Sequence, residues 1–394
     1  MQDGEESMSS IQFEFATATR ILFGPGKIEE VGSLAANMGR RALLVAGRTS
    51  ARVQRLSNLL QAQGVETTHF PVSGEPTTGL VREGVGLAHL RACDVVIGFG
   101  GGSCLDAGKA IAALAANEGD VYDYLEVIGK GKTLARPSVP YIAIPTTAGT
   151  GTEVSRNAVL GAPEFGVKVS LRSPYLLARL AIIDPILTYS LPPAITASTG
   201  LDALTQLIEP FVCISPNPLI DAITREGMKR AARSLVQAYQ EGDNESARVD
   251  MAIAALFSGF ALANAKLGGV HGFAGVLGGS LNAPHGAICA RLLPEVMSVN
   301  VRALSERDPQ SEILQRYDEV AQILTGSRAA RAADGIRWVT EVCNAMKIPR
   351  LSAYGLLRED FPVIIEKSTR ASSMKGNPIA LTLEEMEEML ERAL

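Results

Sequence analysis

The chain has 394 residues, more than one hydrophobic core of ordinary size accommodates, so we expect two domains. Hydrophobic residues make up 46% and charged residues 20%, which excludes a disordered or fibrous protein. Lys and Arg number 37 against 42 Asp and Glu, giving a net charge of −5 with no long basic run. This balance argues against nucleic-acid binding and favours a small-molecule partner.

The cysteines and the N-terminus predict a cellular compartment. Five scattered cysteines include no C-x-x-C pair, so we expect reduced, buried thiols. The first ten residues carry three acidic side chains and no basic segment followed by an apolar one, which predicts no secretory signal and a cytoplasmic location. The longest uncharged stretch, 267–290, holds seven glycines and two histidines, a poor composition for a membrane span. We therefore expect no membrane partner.

The first half of the chain alternates short apolar runs with helical patterns. Predicted strands occupy residues 20–24, 42–46, 69–72, 94–98, 141–145 and 181–185. Predicted helices occupy residues 27–38, 50–62, 80–92 and 104–116. Alternation of strand and helix predicts an α/β domain with a mostly parallel sheet covered by helices.

After residue 193 the strand patterns nearly vanish and long amphipathic segments follow. Helices are predicted at residues 220–239, 247–265, 317–324, 332–346 and 383–393. The sequence therefore predicts an α/β domain over 1–190 and an all-α domain over 191–394, with the functional site in a cleft between them.

A glycine-rich turn follows the fourth predicted strand. The segment 98–103 reads Gly-Phe-Gly-Gly-Gly-Ser and leads directly into a helical pattern. Glycines allow close backbone approach, and the unpaired amides at a helix start suit a pyrophosphate. A tight turn between sheet and helix, with no ligand, explains the same residues.

A polar loop follows the next strand. Residues 145–155 contain four threonines and two glycines, which offer many hydroxyl and amide donors. Loops at the carboxyl ends of neighbouring parallel strands converge on the ligand crevice, so this loop and the glycine turn are expected to face each other. The alternative is a threonine-rich surface loop.

Polar side chains in the helical half suggest a metal site. Asp202 and Gln206 lie four residues apart, with Glu209 on the same helix face, and His271 and His285 follow in the glycine-rich stretch. One carboxylate and two imidazoles form the donor set of a catalytic zinc or non-haem iron site. From spacing alone, core histidines bonded to their neighbours remain the favoured interpretation.

Five segments together resemble the iron-containing (group III) alcohol dehydrogenase superfamily. They are 100–106 (GGGSCLD), 144–154 (IPTTAGTGTEV), 200–204 (GLDAL), 269–271 (GVH) and 284–286 (PHG). The resemblance extends from about residue 13 to the end. It implies a Rossmann-like dinucleotide-binding domain, an all-α domain, an NAD(P) cofactor, a metal in the cleft and a homodimer, in the fold shared with dehydroquinate synthase.

The same resemblance assigns roles residue by residue. It places the cofactor pyrophosphate at the glycine turn, the nicotinamide at the threonine loop and one lysine near the ribose. It assigns the metal to four positions and implies that the histidines among them are also the catalytic residues. The implied cofactor residues are Gly100, Gly101, Gly102, Ser103, Asp106, Thr146, Thr147, Thr150 and Lys168. The implied metal positions are Asp202, Gln206, His271 and His285.

The chain departs from the family pattern at two positions near the metal. Gln206 stands where iron members have histidine, and its amide oxygen is a weaker, neutral ligand. Gly275 stands where alcohol-reducing members often carry a histidine that relays protons. Glycerol dehydrogenase-like members use three protein ligands, so one divalent metal is still expected, with zinc at least as well supported as iron.

A third departure concerns the cofactor. Many NAD-preferring members end the second strand with an aspartate that binds the ribose, whereas this chain has Gly47. Arg48 and Arg52 lie nearby, and arginine recognises phosphate well. The sequence therefore predicts that Gly47 and Arg48 contact the cofactor and that NADP(H) is favoured over NAD(H).

The resulting prediction is an NAD(P)(H)-dependent oxidoreductase that moves a hydride between the nicotinamide and a carbonyl or alcohol substrate, with a divalent metal as Lewis acid. A metal-independent, maleylacetate reductase-like enzyme is the alternative, supported by Gln206 and Gly275. A dehydroquinate synthase-like lyase and a non-catalytic cofactor-binding protein are less well supported.

Phe273, Val276 and Leu277 are candidates for apolar substrate walls, although helix packing explains them equally well. Lys375 and Asn377 could reach the cleft and meet a substrate carboxylate, although a helix-terminating loop explains them at least as well.

Overall fold

The computed structural model describes residues 12–281 and 283–394. The first eleven residues, on which the prediction of no secretory signal depends, lie outside this range. Within it, a sheet region and a helical region follow one another along the chain. The last strand of the main sheet ends at Ile183 and the first long helix of the helical region begins at Pro193.

Six parallel strands form the main sheet, in the order β1-β8-β5-β4-β2-β3. They are β1 (Ile21–Phe23), β2 (Arg41–Ala46), β3 (Glu66–Pro71), β4 (Val95–Gly100), β5 (Tyr141–Pro145) and β8 (Leu180–Ile183). The strand order reverses between β2 and β4, because β3 lies on one side of this pair and β5 on the other. This reversal is the position at which doubly wound sheets bind ligands.

Helices cover both faces of the sheet. They are α1 (Val31–Ala36), α2 (Ala51–Gln61), α3 (Thr78–Leu90), α4 (Gly102–Ala115) and α5 (Val121–Tyr124). Strand β5 is buried along its whole length, and two separate apolar cores lie on opposite faces of the sheet. Burial on both faces explains why the central strands are continuous apolar runs.

The second half of the described chain is helical. Its helices are α6 (Pro193–Val212), α7 (Pro218–Gln240), α8 (Glu245–Asn264), α9 (Gly269–Ser280), α10 (His285–Arg307), α11 (Glu312–Thr325), α12 (Ala332–Ala345), α13 (Phe361–Arg370) and α14 (Leu383–Ala393). Helix α6 lies at the centre, in contact with α7, α8 and α10. Its residues from Gly200 to Val212 are all buried, which leaves α6 with no solvent-facing side over that length.

Among the described residues, α8 has the length and apolar composition that a membrane-crossing helix needs. Of its most apolar window, 61% is buried inside the molecule. The helix packs between α6, α7 and the loop that follows β5. Packing within the protein therefore accounts for its apolar side chains.

The predicted α/β architecture is confirmed, but a hairpin of two strands and the short helix α5 were missed. An antiparallel hairpin of β6 (Asn157–Ala162) and β7 (Val167–Arg172) follows the threonine loop. The predicted helix over 27–38 is divided into a 3-10 turn, Lys27–Glu30, and the short helix α1. All five cysteines are free; four are buried as predicted, whereas Cys93 is only partly buried.

The threonine loop joins the sheet region to the helical region. A side chain at Gly151 would lie 2.2 Å from Cα of Gly259 on α8, so the two backbones are in direct contact. Ser258 of the same helix donates a hydrogen bond of 3.1 Å to the carbonyl of Gly149. The loop therefore has a fixed position relative to both halves of the molecule.

Candidate active site

Three loops lie side by side at the position where the strand order reverses. The loops after β2, β4 and β5 are adjacent because these strands pair directly, with Ala46 opposite Phe99 and Gly100 opposite Pro145. The amide of Thr146 donates a hydrogen bond of 2.9 Å to the Gly100 carbonyl. The predicted cofactor segments at Gly47, at the glycine turn and at the threonine loop are thus brought together.

The glycine turn forms the N-terminus of α4, which begins at Gly102. No side chain caps this helix, because the preceding residue is Gly101. The threonine loop covers the turn, and a side chain at Gly102 would lie 3.0 Å from the Thr150 methyl group. Helix amides without a capping side chain, under a layer of hydroxyl groups, suit a pyrophosphate.

A buried lysine fixes the threonine loop. The Lys109 ammonium, 1% exposed, donates to the carbonyl and hydroxyl of Thr152 at 2.6 and 2.9 Å and to those of Ser155 at 3.2 and 3.1 Å. Burial lowers the pKa of Lys109 to about 8, although the negative charges of Asp106 and Glu153 act to raise it. These hydrogen bonds from α4 fix the conformation of the threonine loop.

Asp106 supports the glycine turn from inside the protein. Its carboxylate accepts hydrogen bonds from the Thr152 hydroxyl and from the Val159 amide of β6. Both carboxylate oxygens are therefore used by the protein itself. Asp106 links α4 to the threonine loop and to the hairpin. It therefore fixes the relative positions of these segments.

Lys168 is carried to the site by the hairpin that the sequence analysis missed. It lies on β7 and forms an ion pair with Glu75. Its ammonium is 3.1 Å from the position that a Cβ atom at Gly278 of α9 would take, so β7 and α9 are in close contact there. Lys168 and Glu75 both act electrostatically on His285. The lysine thus lies between the sheet region and the histidine cluster.

The end of β2 has room for a charged group. Gly47 has no atom within 4 Å of the position a side chain would take, and Arg48 beside it is exposed. The Arg52 guanidinium donates a hydrogen bond of 3.2 Å to the Leu187 carbonyl and is partly buried. Of the two arginines considered for phosphate recognition, Arg48 is the more exposed.

The second part of the site is a polar cluster on α6, α9 and α10. Asp202, Gln206 and Glu209 lie on one face of α6 and are at most 5% exposed. His271 projects from the first turn of α9, and His285 is the first residue of α10. The Asp202 Oδ1 atom lies 3.9 Å from Nε2 of each histidine.

Glu209 sets the orientation of His271. Its Oε2 atom accepts a hydrogen bond of 2.6 Å from Nδ1 of His271, and its Oε1 atom accepts one of 2.7 Å from the Val270 amide. Burial lowers the pKa of His271, but the charge and hydrogen bond of Glu209 outweigh it, so the pKa is raised overall. With Nδ1 as donor, Nε2 presents its lone pair to Asp202 when the ring is neutral.

His285 is brought to Asp202 by a close helix contact. A side chain at Gly286 would lie 2.3 Å from the Ser198 carbonyl of α6, so only glycine allows this approach. The His285 side chain is 39% exposed, against 8% for His271, so it lies on the accessible side of the cluster. Desolvation by the surrounding protein lowers the pKa of His285.

The residues present fit a metal ion. Asp202 Oδ1, His271 Nε2 and Gln206 Oε1 are buried and have no hydrogen-bond partner within residues 12–281 and 283–394. Buried polar atoms without partners are costly, because water no longer solvates them. A carboxylate oxygen and two imidazole nitrogens 3.9 Å from it form a donor set suited to zinc or iron.

Gln206 has a hydrogen-bonding role that its sequence position did not reveal. Its Nε2 group donates a hydrogen bond of 3.0 Å to Oδ2 of Asp202. This bond orients the carboxylate so that Oδ1 faces the histidines. The role of Gln206 Oε1 as a metal ligand stays a prediction.

Two further residues lie at the cluster, Cys289, which the sequence did not reveal, and Asn377, which was expected to reach the cleft. Cys289 lies four residues after His285, and its sulfur is 3.5 Å from His285 Nε2. Asn377, which accepts a hydrogen bond of 3.0 Å from the Gly269 amide, holds the start of α9. Helical spacing would have revealed Cys289 if α10 had been predicted to begin at His285.

Phe273 and Leu277 belong to the core and do not line the site. Both are completely buried in the apolar core of the helical region. Packing of α9, the alternative explanation for these two residues, is therefore the right one. Gly275, between them, is exposed and has open space around it.

Fold and site together define a class of protein: a nucleotide-binding type of parallel sheet joined to a helical region with a buried carboxylate and histidine cluster. The model for "Iron-containing alcohol dehydrogenase" matches residues 18–185, and the C-terminal model of the Fe-containing alcohol dehydrogenase family matches residues 196–394. The chain belongs to the iron-containing alcohol dehydrogenase family.

Individual relatives support the same assignment. The 1,3-propanediol dehydrogenase of Klebsiella pneumoniae is 34% identical over 384 residues, covering 94% of this chain and 96% of its own length. A crystal structure of 1,3-propanediol oxidoreductase superimposes with a TM-score of 0.89 at 33% identity, covering 97% of this chain and 100% of the other. Sulfoacetaldehyde reductase from Bifidobacterium kashiwanohense, solved in complex with NAD+, gives a TM-score of 0.86 at 28% identity, covering 97% and 98%. The protein is an enzyme of the alcohol dehydrogenase and carbonyl reductase type.

Replacing Gly286 tests whether the close helix contact builds the cluster. We expect Gly286→Ala to push α10 away from the Ser198 carbonyl, to lower the free energy of unfolding by roughly 1–3 kcal/mol, and to abolish metal retention. Gly275→Ala is the matched control, because it adds the same methyl group to α9 in open space. Metal content per chain and thermal unfolding measure both effects. Full metal retention in Gly286→Ala would show that the contact is dispensable.

Replacing Glu209 tests the orientation of His271. Glu209→Gln keeps the shape but removes the charge that fixes the Nδ1–H tautomer, so we expect metal affinity to fall about 10- to 100-fold. Competition with a chromophoric chelator measures this affinity. Glu319→Gln serves as the control, because it makes the same change in an ion pair between α11 and Arg225 of α7, outside the cluster. An unchanged affinity in Glu209→Gln would contradict the proposed orienting role.

Proposed function

We propose that this protein catalyses reversible hydride transfer between a nicotinamide cofactor and an alcohol or carbonyl substrate, at a divalent metal held by Asp202, His271 and His285. The observation that carries the proposal is the convergence of unpartnered Asp202 Oδ1 and His271 Nε2 atoms with His285 on the accessible side. A cation bound there would give each of these buried atoms a partner.

The division of work follows from the geometry. A bound metal would act as a Lewis acid that polarises the substrate oxygen, and a bound nicotinamide would donate or accept the hydride. Glu209 holds His271 in one tautomer, and Gln206 holds Asp202 in one orientation. The exposed edge of His285 leaves room for the substrate on that side.

Proton transfer needs a group other than a third histidine. Position 275, one turn after His271, is glycine. The sequence resemblance places a proton-relaying histidine there in many alcohol-reducing members. We therefore propose that water or a cofactor ribose hydroxyl transfers the proton in this enzyme.

The cofactor is proposed to lie across the three loops at the reversal of the strand order. The amides of the glycine turn would bind the pyrophosphate, and the threonine loop would contact the nicotinamide half. The sulfoacetaldehyde reductase relative was solved with NAD+. For this chain we propose that NADP(H) is preferred, because Gly47 leaves space and Arg48 is free to meet a 2′-phosphate.

The names of the relatives suggest where to look for the substrate. One acts on 1,3-propanediol and another on sulfoacetaldehyde, so a panel of small primary alcohols, diols and aldehydes is the appropriate starting set. The homodimer that the family resemblance implies would be tested by light scattering, and the cytoplasmic location expected from the sequence by cell fractionation.

Metal dependence is tested by removal and reconstitution. We expect a chelator to abolish NADPH-dependent aldehyde reduction and Zn²⁺ or Fe²⁺ to restore it. Asp202→Asn should lower kcat on the order of 100- to 1,000-fold, because transition-state charge is no longer stabilised. Asp243→Asn, at an exposed position, is the control. Full turnover by metal-free protein would instead support the metal-independent, maleylacetate reductase-like alternative, which predicts activity with unsaturated keto acids.

Gly47→Asp tests the cofactor preference. A carboxylate at the end of β2 would repel a 2′-phosphate and accept hydrogen bonds from a ribose, so we expect kcat/KM for NADPH to fall about 10- to 100-fold while that for NADH holds or rises. Gly86→Asp on α3, also in open space, is the matched control. A native enzyme that already prefers NADH would contradict the proposed preference.

A further inference from the structure

Cys289 lies where the apolar core of the helical region meets the polar cluster, and its sulfur is grouped with the donor atoms of Asp202, His271 and His285. It is completely buried on α10, one helical turn after His285, so both side chains project from the same face. Its sulfur lies 3.5 Å from Nε2 of His285, the atom through which that histidine would bind a metal. The thiol is therefore in contact with one of the proposed metal ligands.

The four side chains are close enough together for their donor atoms to surround one cation. Donor atoms of Asp202, His271, His285 and Cys289 all lie within 4.8 Å of one another. In a tetrahedral zinc site, bond lengths near 2.0–2.3 Å place ligand atoms about 3.3–3.7 Å apart. The 3.5 Å from sulfur to His285 falls in this range and the 3.9 Å from Asp202 to each histidine is slightly longer, so a bound cation would draw these side chains together.

Cys289 is also a stronger donor than the side chain that replaces the family's second histidine. The Gln206 amide group is already engaged with Asp202, and its free oxygen carries no charge. A cysteine binds metal as a thiolate and releases its proton to solvent as it does so. We propose that Cys289 is the fourth protein ligand, giving a centre of one carboxylate, two imidazoles and one thiolate.

This arrangement changes the metal that the site selects. Thiolate ligands favour zinc over hard, oxygen-preferring cations, and tetrahedral sulfur-containing sites are typical of zinc. The chain would therefore have exchanged a histidine on α6 for a cysteine on α10 and become a zinc enzyme. The accessible side of His285 would leave the substrate a route to a cation held by these four residues.

Cobalt substitution tests this inference, which rests on the metal site of the proposed function. Metal-free native protein, Cys289→Ser and Cys343→Ser are titrated with Co²⁺ and followed by absorption spectroscopy. Bands in the visible region report cobalt bound to the protein with any ligands, whereas a sulfur-to-cobalt charge-transfer band in the near ultraviolet reports a thiolate ligand. Cys343 is the matched control, since it is buried in the same helical region and bonds the Ala290 carbonyl of α10.

The expected result is a near-ultraviolet band in the native protein and in Cys343→Ser that is absent from Cys289→Ser, with the visible bands retained in all three. Loss of a residue that only hydrogen-bonds a metal ligand lowers affinity roughly 10- to 100-fold. The zinc affinity of Cys289→Ser should fall by more than this, because a ligand itself is lost.

Three other outcomes would overturn the inference, and they separate its failure from that of the proposed function. Visible bands without a near-ultraviolet band in the native protein would leave the metal site intact and exclude Cys289 as a ligand. A near-ultraviolet band that persists in Cys289→Ser would assign the sulfur to another cysteine. Absence of all cobalt bands from the native protein would remove both the thiolate ligand and the metal site. If Cys289→Ser does not fold, a native spectrum without the near-ultraviolet band still overturns the inference, and Cys289→Ala replaces the serine variant for assigning the sulfur.

Discussion

The contact between the first turn of α10 and the middle of α6 is the constraint on which the site depends. Gly286 allows these helices to approach until there is no space for a single methyl group between them. This approach places His285 and Cys289 beside Asp202. The position of α9 is set independently, by Glu209 at its Val270 amide and by Asn377 at its Gly269 amide. Three helices are thus fixed around one small volume.

The buried polar cluster is tolerated because hydrogen bonds within the protein satisfy part of each polar group. Asp202 and Gln206 are nearly inaccessible to water, and burial of such groups lowers stability unless they are paired. Hydrogen bonds from Gln206 to Asp202 and from His271 to Glu209 satisfy one side of each group. The unpartnered Asp202 Oδ1 atom lies near Nε2 of both histidines, and the unpartnered His271 Nε2 atom lies near Asp202, which is the arrangement that cation binding requires.

The two halves of the site are linked through the threonine loop. Lys109 holds the loop from the sheet side, and contact between Gly151 and Gly259 holds it from the helical side. The hairpin continues from this loop and carries Lys168 to α9. The geometry between cofactor loops and histidine cluster is therefore set by packed backbone and buried charge.

Much of this could be predicted from the sequence because the signals are local. Apolar runs such as the one over 141–145 mark buried parallel strands, and the spacing of Asp202 and Gln206 marks one helix face. The β6–β7 hairpin was missed although Val167, Val169 and Leu171 alternate with polar residues, because the surrounding parallel pattern favoured a loop. Cys289 was missed because its role depends on where α10 begins and on how closely it approaches α6, and neither is a local property of the sequence.

The central claim is that Asp202, His271 and His285 hold a divalent metal. The most direct measurement is anomalous X-ray diffraction from crystals of protein purified without chelator, with data collected on both sides of the zinc and iron absorption edges. The account predicts one strong anomalous peak per chain within bonding distance of Asp202 Oδ1 and of Nε2 of both histidines. Fully formed crystals with no peak at this position, or a peak bound elsewhere, would contradict it.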